Sequence, residues 1–260
     1  WGGFAIAAGL MAIMYFCLVL SLAEMSASIP AAGGGYSFAR QVMGPTGGYL
    51  TGLAILIEYV LAPAAIVIFI GSAVESLFGF NGPLVYAFFY AAFIAIHLIG
   101  AGEALKTMMV ISALAVFAII ATAIALIGNF DATKLFDIAV SADVAGATEF
   151  LPFGWYGVWA ALPFGMWLFL AVEGVPLAAE EAKNPAKDVP KGIIAAMIFL
   201  LFSAVLVVFL LPAITGAEVL GKSTIPLIDA LNANGNTSLA TTVNILGLAG
   251  LIASFFSIIY

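Results

Sequence analysis

The chain has 260 residues, of which 65% are hydrophobic and 8% charged, and its formal net charge is -7. An ordinary soluble domain carries roughly 25% charged residues, so the polar surface here is too small to cover a globule in water and lipid must be the solvent. The seven basic residues are scattered and form no stripe that could neutralise phosphates, which argues against nucleic acid as a partner.

Apolar runs of about 20 residues, enough to cross a ~30 Å hydrocarbon core, follow one another along the chain and predict seven helices. They extend from Gly3 to Leu22, Gly47 to Ile70, Pro83 to Ile99, Met108 to Ile127, Trp155 to Ala179, Ile193 to Ile214 and Leu239 to Tyr260. The expected fold class is an all-α integral membrane bundle, with one transmembrane domain over residues 1–260. The first run opens WGGFAIAAGLMAIMYF with no basic n-region, and no small-residue cleavage site follows it, so it reads as a mature span and not a signal peptide. Cys17 lies inside that run, where it has no second cysteine to pair with and no metal-ligand set to complete, and packing is its simplest use.

Arg40, Lys106, Lys183, Lys187 and Lys191 follow the first, third and fifth runs, whereas the alternate loops hold Lys134 and Lys222. The positive-inside rule places the first group in the cytoplasm, in a multi-pass protein of the cytoplasmic membrane whose Trp1 end is outside. An outside start without an initiating methionine implies at least one earlier span, and the closing GLAGLIASFFSIIY has no polar flank, so further spans are expected after it.

Ionisable groups at bilayer depth cost about 2.5 to 3.5 kcal/mol on insertion scales and are functional candidates by default. In the second run, Glu58 sits in LAILIEYVLAPAA, and Pro63 leaves the carbonyl of Tyr59 without its intrahelical donor. A carboxylate beside an open carbonyl suits an ammonium group; the alternative is a glutamate bonded to a neighbouring helix. His97, near the end of the third run, can reach interfacial water or a backbone carbonyl, which favours a structural use. The fifth run is interrupted inside the membrane by Glu173, Gly174 and Pro176, and two half-helices are expected to meet around Ala171 to Val175, Gly174 supplying the non-helical angles. Discontinuous helices of this kind mark transporter sites, and a simple proline kink with a paired glutamate is the alternative. No Lys or Arg lies deep in a run, which favours a cationic substrate, although a zwitterion could place its carboxylate on half-helix amides.

Two segments carry a family resemblance: SLAEMSASIPAAGGGYSFARQVMGPTGGYLTGL, residues 21–53, and AVEGVPLAAEEAKNPAKDVPKG, residues 171–192. Their Glu24, Pro30, Gly34, Gly35, Tyr36 and Gly44, then Glu180, Glu181, Asn184, Pro185 and Pro190, resemble the pattern of the amino acid, polyamine and organocation permease superfamily. Within it, LIEYVLAPAA, VEGVPLAAEEAKNP and GLAGLIASFFSIIY look most like the bacterial ethanolamine permeases.

The resemblance implies a twelve-span protein with two inverted five-helix repeats, of which this chain would be spans two to eight, and a substrate site beside a broken sixth span. On this resemblance Trp167, Leu170, Ala171 and Glu173 match binding and gating positions of the sixth span, and Glu58, Tyr59 and Pro63 match positions of the third; with Gly174 at the expected break these are the substrate-binding candidates. Some relatives place a lysine in the fifth span at the position aligned with Ala115, which leaves the coupling ion, proton or sodium, open. The segment EEAKNPAKDVPKG reads either as a solvated charge run or, with its prolines, as a stiff cytoplasmic gate edge built from Glu180, Glu181, Asn184 and Pro185. The GGG at 33–35 lacks the strand and helix of a phosphate-cradling loop and reads as a turn or a tight contact.

The functional expectation is a secondary transporter that imports ethanolamine or a related small amine by alternating access, with no cofactor and no metal. The alternative is an amino acid or polyamine exchanger. An intramembrane enzyme would need a nucleophile and base or a metal cluster, yet the single His and single Cys have no partner motif. A channel would show a filter ring or repeated pore loops, and the sequence has neither. The expected partners are the lipid bilayer and a small cationic or zwitterionic amine; the oligomeric state is open.

Overall fold

The computed structural model describes residues 1–29, 31, 33–99 and 102–259, with the backbone alone for 102–105. Pro30 of the first motif and Tyr260 at the end of the last expected run lie outside the described residues.

Among the described residues ten α-helices follow in order: α1 (Gly2–Ser28), α2 (Gly34–Phe78), α3 (Pro83–Ile99), α4 (Gly102–Leu126), α5 (Gly154–Trp167), α6 (Pro185–Val205), α7 (Leu211–Thr215), α8 (Ala217–Leu220), α9 (Pro226–Ala233) and α10 (Thr237–Ile259). Three 3-10 segments, Ile127–Asn129, Ala132–Phe136 and Val172–Glu181, and one π-turn, Leu206–Leu210, lie between them. Among the described residues 6 helical stretches are long and apolar enough to cross a membrane, and Pro83–Ile99 is a shorter apolar helix of 17 residues. The seven expected runs are therefore all helical, but their limits shift. The second run extends back to Gly34 and on to Phe78, as 45 residues interrupted at Gly44. The sixth begins at Pro185 and reaches Thr215 through the π-turn.

Large apolar side chains point outward along these helices: Leu84 and Ile99 are each 88% exposed, and Val42 is 76% exposed. In water such surfaces would drive aggregation; in a bilayer they are the wetted face, because lipid tails are as apolar as leucine.

The chain packs as two compact units, one of residues 1–56 and 135–209, the other of residues 57–134 and 210–260. In the first, α1 lies against α5 and α6. The approach to α5 is close because both partners are small: a Cβ on Gly165 would stand 3.0 Å from the backbone of Ala7 and Ala8, and one on Gly3 would stand 3.2 Å from Gly157. Small residues of this kind let membrane helices gain van der Waals contact where no hydrophobic drive exists. Tyr15, Val19, Leu22, Phe38, Phe169, Ile193 and Met197 form the core of this unit.

The Trp1 end of the first unit is closed by aromatic packing. The Trp1 indole donates to the carbonyl of Val208 at 2.6 Å and meets Phe136, Phe150 and Phe209 edge-on at ring separations of 5.4 to 5.8 Å. Pro212, four residues after Val208, has no N–H to give that carbonyl. The other end of α1 leads to Gly34, where a Cβ would stand 2.8 Å from Leu177, so the glycine run is a turn in tight contact.

In the second unit α10 packs on α4, α9 and α3. Its core holds Ile66, Ile70, Val74, Phe93, Phe255 and Phe256. The His97 imidazole Nδ1 lies 2.7 Å from the carbonyl of Phe93, and its ring centroid is 4.4 Å from that of Phe256, which fits the structural use expected of it. Buried Asn244 donates to Ser76 across α10 and α2 at 2.8 Å. Lys134 donates to the carbonyl of Ile214 at 2.6 Å, and the N–H of Asp131 to that of Ala213 at 3.2 Å, so the loop after α4 supplies donors to the open carbonyl end of α7.

Candidate functional site

The fifth apolar run breaks within the expected stretch from Ala171 to Val175, but at its first residue and not at Gly174. α5 stops at Trp167, residues 168–171 form a turn, and a 3-10 segment runs from Val172 to Glu181. The pivot is Ala171, with φ 73 and ψ -2, the single non-glycine residue of positive φ among the described residues. Gly174, expected to provide the unusual angles, lies inside the 3-10 segment and donates its N–H to the carbonyl of Ala171 at 3.1 Å. The second arm is thus a 3-10 segment and not a second α half-helix.

Glu173 explains why an alanine can hold the left-handed position, a conformation that costs an L-residue roughly 1–2 kcal/mol. Its Oε1 accepts the N–H of Ala171 at 2.9 Å, a carboxylate-assisted bond that closes the turn from two residues downstream. Its Oε2 is buried and has no hydrogen-bond partner among the described residues. Buried Phe169, beside the pivot, anchors the turn in the core of its unit, with its ring 5.8 Å from that of Tyr15. Pro176 is buried behind the turn and offers the carbonyl of Val172 no α-helical donor.

The turn therefore brings together Trp167, Leu170, Ala171, Glu173 and Gly174. Trp167 is 42% exposed, while Leu170 and Glu173 are half-buried. Glu58, Tyr59 and Pro63 belong to the other unit, on the part of α2 that follows residue 56; Glu58 and Tyr59 are half-buried there and Pro63 is buried.

The expected gate residues have a local structural account. Exposed Glu180 and Glu181 end the 3-10 segment. Asn184 is the N-cap of α6, with Pro185 in its first turn, where a missing N–H leaves nothing unsatisfied. The carboxylate of Asp188 accepts the N–H of Asn184 at 2.9 Å, so the Asn-Pro-Ala-Lys-Asp sequence starts a helix.

Sequence comparison extends these observations to the whole chain. The family model "Amino acid permease" matches residues 2–260. The chain belongs to the amino acid permease family. An uncharacterized transporter of Rhizobium meliloti is 31% identical over 245 residues, 89% of this permease chain and 51% of the relative. The methylthioribose transporter of Bacillus subtilis is 27% identical over 96% of the chain and 54% of its own length. A branched-chain amino acid permease of the same organism is 27% identical over 69% of the chain and 40% of its own length. The chain thus spans about half the length of the curated relatives it matches. Membership and the apolar helices together describe an all-α multi-pass membrane chain of the amino acid, polyamine and organocation superfamily.

The sequence located this break but misplaced its pivot. The coincidence of glutamate, glycine and proline located the break to within one turn of helix, yet glycine drew the hinge toward Gly174. The spacing that decides it is a carboxylate two residues after an alanine, close enough to take that residue's N–H once the helix is interrupted.

Proposed function

We propose that this chain is part of a secondary permease that imports ethanolamine or a related small amine across the cytoplasmic membrane by alternating access. The observation that carries the reading is the buried Oε2 of Glu173, without a hydrogen-bond partner among the described residues, at the break of the fifth apolar run. A carboxylate oxygen in that setting lacks a hydrogen-bond donor, and an ammonium group supplies three. Trp167 closes over the ammonium by cation-π contact, and Glu58 is kept as a second acidic candidate for binding the amine. In this reading Arg40, Lys106, Lys183, Lys187 and Lys191 face the cytoplasm and the Trp1 end faces outward. Glu180, Glu181, Asn184 and Pro185 then act at the cytoplasmic end, where the rigid start of α6 serves as a gate edge.

The coupling ion, proton or sodium, is not assigned. Ala115 packs tightly on Gly250, where a Cβ would stand 2.7 Å from that of Ala115, and the close approach supports coupling without a lysine at that position.

The test is uptake of labelled ethanolamine by cells expressing the full-length gene. Uptake should saturate and should fall at least about tenfold in Glu173→Gln and in Glu58→Gln; unchanged affinity and rate would remove the substituted residue from the site. An amino acid exchanger is the second reading, favoured by the similarity to a branched-chain amino acid permease. Competition separates the two: block of uptake by amino acids and not by ethanolamine would replace the first reading with the second.

A further inference from the structure

A broken membrane helix ordinarily offers both kinds of backbone group, N–H on one arm and C=O on the other, and so can hold the carboxylate and the ammonium of a zwitterion together. At the break in this chain three N–H groups are already taken up locally. Phe169 donates its N–H to Met166 at 3.0 Å, Ala171 to the Glu173 carboxylate at 2.9 Å and Gly174 to Ala171 at 3.1 Å. What is left buried and without a partner among the described residues is an acceptor, the Oε2 of Glu173.

Glu173 therefore has two functions on its two oxygens. Oε1 occupies the N–H that the left-handed Ala171 turns out of the helix and would otherwise present to an anionic group. Oε2 fixes the sign of the charge that the turn welcomes. We propose that Glu173, through its bond to Ala171, is the specificity determinant that admits amines lacking a carboxylate and rejects their amino acid counterparts. An incoming carboxylate meets the Glu173 carboxyl group and no open N–H at Ala171 or Gly174, a juxtaposition that disfavours it in a water-poor site. An incoming ammonium meets an oxygen that lacks a partner. The inference rests on the amine-import reading above and assigns the discrimination within it to one residue pair.

Ethanolamine and L-serine form a matched pair for the test, since they differ only by the carboxylate. In proteoliposomes holding the full-length protein, the ratio of their initial uptake rates at equal low concentration should favour ethanolamine by at least about tenfold. Glu173→Gln keeps a carbonyl for the Ala171 N–H and puts an amide donor where Oε2 was, so the ratio should fall about tenfold or more, with serine uptake rising in absolute terms. A merely structural role would lower both rates and leave the ratio unchanged. A wild-type ratio near one or favouring serine would defeat the amine-import reading itself, whereas a wild-type preference that survives intact in Glu173→Gln would overturn this inference alone. If Glu173→Gln does not yield a monodisperse protein, Glu173→Asp is read by the same ratio. It keeps the charge but is one methylene too short to serve Ala171 and the substrate together; a drop of about threefold supports the proposal and an unchanged ratio overturns it.

Discussion

Two breaks interrupt long apolar helices in the first unit, and they are made in opposite ways. Gly44 breaks α2 with φ 76 and ψ -172, a region essentially reserved for glycine, and a Cβ there would meet nothing within 4 Å. Ala171 breaks the fifth run with φ 73 and ψ -2, a left-handed conformation that other residues can reach at a cost. The first break needs only the missing side chain. The second is enforced by its surroundings: a carboxylate on the N–H, buried Phe169 on one side and buried Pro176 on the other. A kink that glycine alone permits is a feature of the path, whereas a strained residue held by a buried acid is where a site is to be sought.

This contrast can be broken or sharpened by substitution. Gly165→Leu should have the largest effect, because the new side chain must enter where backbone of Ala7 and Ala8 stands 3.0 Å from a Cβ. A loss of about 3 kcal/mol is expected, read as the thermal midpoint in detergent, and it would strip the Ala171 turn of its packing while leaving Gly44 untouched. Glu173→Ala should cost about 1.5 to 3 kcal/mol, the range for a hydrogen bond to a charged group. Hydrogen exchange should then show the Ala171 amide opening; continued protection there would mean that packing alone holds the turn.

Reciprocal changes at the two pivots should act in opposite directions. Gly44→Ala should destabilise by about 1 to 3 kcal/mol through backbone strain alone. Ala171→Gly should stabilise by about 0.5 to 1 kcal/mol, the relief of the left-handed cost less the entropy of glycine. Equal signs in the two measurements would end the distinction between a permitted kink and an enforced one.

The smallest effect is expected at an exposed turn that uses the same bond without burial. Asp131 accepts the N–H and the hydroxyl of Thr133 at 3.0 and 2.6 Å, and these bonds hold its carboxyl below the ordinary carboxylate range. Because the folded pKa is depressed, the contribution to the turn is present above the ordinary value and is lost as pH falls through the folded one. Exchange at the Thr133 amide should therefore quicken, relative to its intrinsic rate, on acidification below about pH 4. Asp131→Asn should show no such pH dependence.

Much of this was legible in the residues because a bilayer imposes simple demands. Length and apolarity determine that these segments are helices, since no other open structure satisfies backbone groups in lipid, and all seven expected runs are helical. The position of the second break was legible to within a turn because Glu173, Gly174 and Pro176 are each costly in an apolar helix. The start of α6 was not legible: the helix begins at Pro185, ahead of the expected run from Ile193, because local capping chemistry extends it beyond the apolar stretch.

The choice of pivot belongs to tertiary structure. Glycine preference names Gly174, but the chain turns at Ala171, because the conformational cost of one alanine is smaller than the combined return from seating Phe169 in the core and giving an N–H to a buried carboxylate. The Trp1 indole on Val208 and the Lys134 ammonium on Ile214 were hidden for the same reason. Each answers an open carbonyl that sequence chemistry foretells near Pro212 or at a helix end, but the partner lies 207 or 80 residues away. By itself the sequence determined what must be satisfied in lipid: the helices, the acid inside one of them and the groups that prolines and helix ends leave open. Only the tertiary structure decided what satisfies each of them, because that depends on which distant donor the packing brings within about 3 Å.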